Sequence, residues 1–434
     1  MKMAMELKCC HLERGKMNNY WHPMNLPKGE GFISVESAMG VVLTDQKGRN
    51  YIDGYSGLWN VNLGHNLPEI SHAIIKQLGK LAYANPIVVT FDLIEQLSAK
   101  LIELTGGKME KVIYTCSGSE SNEVAIKIAR KFAFLSGDKR RKIAVFGQSY
   151  HGSYYGSLSI SSFEHEFKSG YGPFLTDIIN LPSPCFEKIS PTILKRMLED
   201  LSQECNAIFI EPVLGSAGIW PLPREHAEVI QEFCDTHNVM LIVDEVATGF
   251  GRTGSWFYFQ QLGLNPDLIC LSKGINNGML PMGAVCVSKA ISNEFERKNE
   301  ILFHLSTQNG NPLAVASAMA TISWMIDNDI LTKVKNLSNI FFEQLTEKIK
   351  DLKSIKNIRQ VGLMIGIDII NPTNGYPLSY EEIKQLVSKI IRAGLLCGCS
   401  YIPDKHASII LMPPFILKRS QVNKLMNILV SSLS

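Results

Sequence analysis

The chain has 434 residues, enough for about three average domains or for one large α/β unit with a satellite. Its 43 basic and 41 acidic side chains leave a formal charge of +2 with no basic block, which excludes a nucleic-acid footprint and points to small-molecule partners. The hydrophobic fraction of 45% is that of a globular protein, and no apolar run approaches the roughly 18 residues that cross a bilayer.

The opening Met1-Lys2-Met3-Ala4-Met5-Glu6 has no continuous apolar segment before a cleavage site, so no membrane partner and a cytoplasmic location are expected. Ten cysteines are scattered rather than arrayed at disulfide spacing, as suits reduced thiols. The densest group, Cys9, Cys10 and His11, lacks a second cluster of ligands, so no metal site is expected.

The middle of the chain alternates short apolar runs with amphipathic stretches, the pattern of strand–helix units wound into a mostly parallel sheet, and the fold class is α/β. Residues 111–115 read as a strand, Ser117 to Glu120 as a turn and cap, and Val124, Ala125, Ile128, Ala129 and Phe132 as the apolar face of the helix that follows. Further strands are expected over 142–146, 207–210, 239–243 and 267–271. Each run leads to a polar group: Ser117 to Glu120, Tyr150-His151, Glu211-Pro212, Asp244-Glu245 and Lys273. Open parallel sheets bind ligands beyond the carboxyl ends of their strands, so these five groups should converge on one crevice.

Lys273 and Asp244 give that crevice its chemistry. A charged residue closing a strand ordinarily marks only where the chain reaches water. An amine that can form a Schiff base and a carboxylate that can hold a pyridinium proton are, however, the two groups pyridoxal phosphate requires. Ser117-Gly118-Ser119 lies between a strand and a helix, where free N–H groups and the helix dipole favour a phosphate, although capping alone would also explain it. A competing signal is Gly249-Phe250-Gly251-Arg252-Thr253-Gly254, which fits G-x-G-x-x-G after a strand. Its strand ends in carboxylates rather than running into glycine, and the next acidic residue, Asp267, comes too early for a dinucleotide site.

The segments around Asp244 and Lys273, with Ser117-Gly118-Ser119-Glu120 and Asn122 and with Tyr150-His151-Gly152, resemble the fold-type I, class III aminotransferases from about Trp21 to about Phe415. The one departure in the Ser-Gly-Ser/Thr-Glu-Ala-Asn element is Ser121. The resemblance implies a pyridoxal-phosphate-dependent transaminase using an amine donor and a keto acid acceptor. Lys273 would hold the cofactor and shuttle protons, Asp244 would face the ring nitrogen, and the Tyr150 ring, beside His151, would stack on the ring. It also implies a small α+β domain made of residues 1–60 and 326–434 around a large domain of 61–325. Thr307 would reach the phosphate of a partner subunit, which requires a homodimer.

The resemblance bears on substrate too. Relatives acting on glutamate-type substrates place a gating glutamate after Glu-Pro-x-x-Gly, whereas this chain has Ser216 after Glu211-Pro212-Val213-Leu214-Gly215. Tyr20, Trp21 and Trp59 resemble the aromatic pocket walls of amine:pyruvate and diaminopelargonate transaminases, which favours an apolar amine or ω-amino acid. No arginine lies between Gly394 and Pro413, where many such enzymes carry one for a substrate carboxylate. An aminomutase, an epimerase or a decarboxylase remains open on the same scaffold.

Overall fold

The computed structural model describes residues 19–27, 31–163, 165–350 and 352–434, so Cys9, Cys10 and His11 lie outside the described residues. On the N-terminal side β1 (Val35–Met39), β2 (Val42–Asp45) and β3 (Asn50–Asp53) form an antiparallel meander. The centre supplies β4 (Met109–Thr115), β5 (Lys142–Phe146), β6 (Ile178–Leu181), β7 (Cys205–Ile210), the small hairpin β8 (Val213–Leu214) and β9 (Trp220–Pro221), then β10 (Met240–Asp244), β11 (Leu268–Leu271) and β12 (Gly283–Ser288). The C-terminal side adds β13 (Ile355–Val361), β14 (Met364–Ile369), β15 (Leu395–Leu396), β16 (Gly398–Ile402) and β17 (His406–Leu411).

Seven strands build the main sheet in the order β4-β12-β11-β10-β7-β5-β6. All neighbours are parallel except at β12, which runs against both β11 and β4. The strands β7, β10, β11 and β12 are buried at every position, which is why their apolar runs show no alternation: helices cover both faces. One cover is the helix Gly118–Leu135, whose Val124, Ala125, Ile128 and Ala129 are buried against the sheet with Phe132 at the rim. The α/β class with a mostly parallel sheet is the one expected. Two of its strands, β6 and β12, were not: β6 is only four residues long, and β12 hides in the glycine-bearing stretch after Lys273.

The two ends of the chain meet. Leu395 and Leu396 of β15 pair in parallel with Ile52 and Asp53 of β3, while β13, β14, β17 and β16 form a second four-stranded sheet. The G-x-G-x-x-G segment follows β10 but opens no helix, the next being Tyr258–Leu262. It carries Arg252 into the interior instead. That guanidinium donates to the carbonyls of Leu363 (3.2 Å) and Pro413 (2.7 Å), to the Ser56 hydroxyl (3.1 Å) and to Asn62 Oδ1 (2.5 Å), stitching both ends of the chain to the centre.

Candidate active site

Ser117 caps the helix Gly118–Leu135, its hydroxyl accepting from the Glu120 N–H at 3.1 Å. A side-chain carbon on Gly118 would stand 2.9 Å from Val246 Cγ1, so only glycine lets this helix start approach the segment after β10. The free N–H groups of the first turn and the positive end of the helix make a seat for an anion. Ser119 Oγ closes one side of it by accepting from the Ser153 N–H at 3.1 Å.

The other strand ends lead to the same place. Tyr150 and His151 follow β5, Glu211 follows β7, Asp244 ends β10 and Lys273 follows β11; with Ser117, Gly118, Ser119, Trp59, Asn122 and Ser216 they line one cavity of about 200 Å³. The five groups thus meet beyond the carboxyl ends of the sheet. Their chain neighbours do not all face it. Glu120 turns to His304 Nε2 (2.9 Å) and Asn309 Nδ2 (3.0 Å), and Glu245 accepts from the Phe259 N–H (2.6 Å) and the Thr248 hydroxyl.

Asp244 is buried and fully engaged: Oδ2 lies 2.8 Å from His151 Nδ1 and 2.8 Å from Asn122 Nδ2, and Oδ1 accepts from the Val246 N–H at 3.0 Å. Among the described residues His151 Nε2 and Asn122 Oδ1 have no partner. Burial pulls the Lys273 amine below the usual lysine range, and the carboxylates of Asp244 and Glu211 work against that. Its Nζ lies 4.9 Å from the centre of the Trp59 ring. Both residues hold left-handed backbone, φ +40 for Lys273 and +67 for Trp59, a strain the surrounding packing must sustain. Burial pushes Glu211 up to about 7, with His151 opposing and Asp244 adding to the rise.

Three expected residues lie elsewhere in this chain. Thr307 is exposed, its carbonyl accepting from the Tyr83 hydroxyl at 3.2 Å. Tyr20 and Trp21 are 61% and 65% exposed, and neither lines the cavity. Conversely, Asn122 and Glu211 line it without having been given roles. The signals were available: Asn122 stands three residues after Ser119, on the same helix face, and Glu211 closes a strand buried at every position.

A desolvated lysine amine and a carboxylate held by a histidine and an asparagine, facing one cavity beside an anion seat, are the groups of a pyridoxal-phosphate transferase. The aminotransferase class-III family matches residues 25–433, and the chain belongs to that family of pyridoxal-phosphate-dependent transaminases. It is 33% identical over 394 residues to an adenosylmethionine-8-amino-7-oxononanoate aminotransferase of Aquifex aeolicus, covering 86% of each chain. It is 30% identical over 411 residues to an omega-aminotransferase of Caulobacter vibrioides, covering 90% of this chain and 91% of the relative. Its fold superposes with a TM-score of 0.89 on an amine transaminase from an uncultivated Pseudomonas species in its PLP-bound form, at 27% identity over 96% of this chain and 98% of the other. Among the described residues no helix is long and apolar enough to cross a membrane.

Proposed function

We propose that this transaminase moves an amino group from an apolar primary amine or ω-amino donor to a keto acid or aldehyde acceptor, working as a cytoplasmic homodimer. The observation that carries the reading is the cavity itself: among the described residues that line it Lys273 is the only lysine or arginine, and it stands against the indole of Trp59. Such walls suit an apolar donor. The omega-aminotransferase among its relatives is in keeping with that class. The small domain is taken as residues 1–60 and 326–434 and the large one as 61–325; the β3–β15 pairing supports this division.

The cavity fits pyridoxal phosphate, since it offers the anion seat, an engaged buried carboxylate and two buried polar atoms, His151 Nε2 and Asn122 Oδ1, that no group among the described residues satisfies. Bound there, the cofactor supplies an aldehyde for attachment and a ring that takes up the electron pair left when a substrate C–H bond breaks. Lys273 Nζ would hold it covalently and, once free, carry the proton to and from the substrate carbon. Burial, by favouring the neutral amine, prepares Lys273 for both tasks. The Asp244 carboxylate, fixed by His151 and Asn122, would keep a proton on the ring nitrogen. The Tyr150 ring would lie against the ring's face, Ser117, Gly118 and Ser119 would hold the phosphate, and the exposed Thr307 would serve the phosphate of a partner subunit.

Incubation with a panel of amines and keto acids tests this. Transfer of nitrogen between two molecules, with reversible cycling of the bound cofactor's absorbance, is the expected result. Loss of carbon dioxide, or racemisation without transfer, would overturn it.

A further inference from the structure

Glu211 is buried in the cavity wall, yet among the described residues neither of its oxygens is offered to a side chain. Oε1 accepts from the Tyr150 N–H at 2.5 Å, and Oε2 accepts from the Gly215 N–H at 3.2 Å. These two N–H groups belong to different segments, one following β5 and the other following β8. Tyr150 brings one aromatic ring. Gly215 backs another: a carbon on its Cα would stand 2.9 Å from Trp59 Cζ3, so the indole rests directly on this backbone. Trp59 in turn lies 4.9 Å from Lys273 Nζ. One carboxylate therefore joins the Tyr150 wall to the wall that shelters the reactive amine.

We infer that Glu211 is a positioning residue that sets the separation of the two aromatic walls, and that it does so as a carboxylate. The inference rests on the reading of this cavity as the cofactor site. A carboxylate can accept from both N–H groups at full strength, whereas a protonated carboxyl keeps only one good acceptor oxygen. The groups that sense its charge are His151 and Asp244, Lys273, the Tyr150 phenol and the Cys185 thiol.

Burial pushes Glu211 from 4.5 up to about 7, so folding holds a proton on it between those values. The folded protein binds more protons than the unfolded chain in that window. Stability from this group is therefore fully present below the ordinary carboxylate value and is lost as pH rises through about 7. The clamp has the opposite dependence and is complete only above about 7. Cofactor affinity and apoprotein stability should respond to Glu211 in opposite directions, which a purely structural residue would not produce.

The test titrates apoprotein with pyridoxal phosphate at pH 6 and pH 8, following tryptophan fluorescence, for wild type, Glu211→Gln and Glu211→Asp, with apoprotein melting temperatures measured alongside. At pH 8 Glu211→Gln should bind about tenfold more weakly than wild type, the cost of one hydrogen bond to a charged group. The gap should narrow at pH 6, and the Gln apoprotein should melt no lower than wild type at pH 8. Glu211→Asp keeps the charge but not the reach, and should bind more weakly while retaining the wild-type pH profile. Equal affinity and equal pH profiles for wild type and Glu211→Gln would overturn the inference, as would parallel losses of affinity and melting temperature at both pH values. Should Glu211→Gln fail to fold, wild-type affinity in Glu211→Asp at both pH values would overturn it. If wild type itself shows no saturable binding, the cofactor reading fails and this inference with it.

Discussion

His151 Nδ1 and Asp244 Oδ2 stand 2.8 Å apart with both side chains withdrawn from solvent. The same oxygen meets Asn122 Nδ2 at 2.8 Å, so one group that follows β5 and one that sits on a helix hold the carboxylate that ends β10. Asp244→Asn keeps the shape but removes the charge. Its turnover should fall by about a hundredfold or more, the loss of one strong charge-assisted contact, while the protein folds and still binds pyridoxal phosphate. Steady-state kinetics with cofactor absorbance measures both. Near-wild-type turnover would remove Asp244 from the chemistry.

Lys273 gives a stability prediction as well as a catalytic one. Its amine is pulled below 10.5 by burial, so below that value the unfolded chain binds more protons than the folded one and the apoprotein is penalised. The penalty is present at neutral pH and fades as pH rises toward 10.5. Lys273→Met should abolish turnover yet raise the apoprotein melting temperature at pH 7, with a smaller gain at pH 10. Borohydride reduction of the wild-type holoenzyme should label Lys273; a label on another lysine would refute the assignment.

Arg252 is fully buried and, among the described residues, bonded to four oxygens, none of them a carboxylate. Burial lowers it to about 9, with Asp53 opposing from a distance, so it remains charged near neutrality. Arg252→Met would leave the Leu363 and Pro413 carbonyls without their donor. It should cost about 3 kcal/mol or more, read as a lower melting temperature and denaturation midpoint. An unchanged midpoint would show that water replaces the guanidinium without penalty.

The main sheet was legible where a strand is a run of buried residues ending in chemistry, as at β10 with Asp244 and β11 leading to Lys273. It was not legible at β12, because an antiparallel insertion among parallel strands depends on pairing partners that no local pattern states. The same holds for Arg252. In sequence it is a basic residue in a glycine-rich turn, and its burial depends on acceptors at 56, 62, 363 and 413 that only the fold assembles. Of the cavity residues, those directly after strands could be named from the chain. Asn122 could be named as part of the Ser117 to Asn122 element, but its bond to Asp244 needed that helix and β10 to be placed together.

Thr307 lies on a segment tied to the start of the helix Gly118–Leu135 in its own subunit. Asn309 beside it donates to Glu120, which sits one residue beyond Ser119. If Thr307 serves a partner, Lys273→Ala and Thr307→Ala subunits mixed after unfolding should form heterodimers in which one site carries both lesions and the other neither. Activity should then return to about a quarter of wild type, given random reassortment into half heterodimers with one intact site each. Heterodimers that form without regaining activity would show that Thr307 does not act across the interface.

Carboxylate recognition is where this cavity departs from expectation for amino acid donors. Lys405 is half-exposed, pairs loosely with Glu187 at 3.9 Å and lies over the Phe186 ring, while burial pushes His406 down to about 4, leaving it uncharged at neutral pH. The guanidinium of Arg359 is committed to Asp368, with Nη1–Oδ2 at 2.5 Å and Nη2–Oδ1 at 2.6 Å, and it also holds the Gly218 carbonyl at 2.8 Å. None of these three residues lines the cavity. A donor with a carboxylate next to its amine would therefore bring a negative charge into a pocket that already holds Glu211 and Asp244 and lacks the planar fork able to grip it. The missing bidentate contact should cost about 2 kcal/mol, or roughly thirtyfold in kcat/KM. The comparison is between a neutral primary amine and its α-carboxylated analogue of the same length, at saturating keto acid and neutral pH. Replacing Ser216, which lines the cavity, by arginine should narrow the gap by restoring a cation. A wild-type preference for the α-amino acid would refute the assignment of apolar donors and require a cation delivered by the partner subunit or by movement of Arg359.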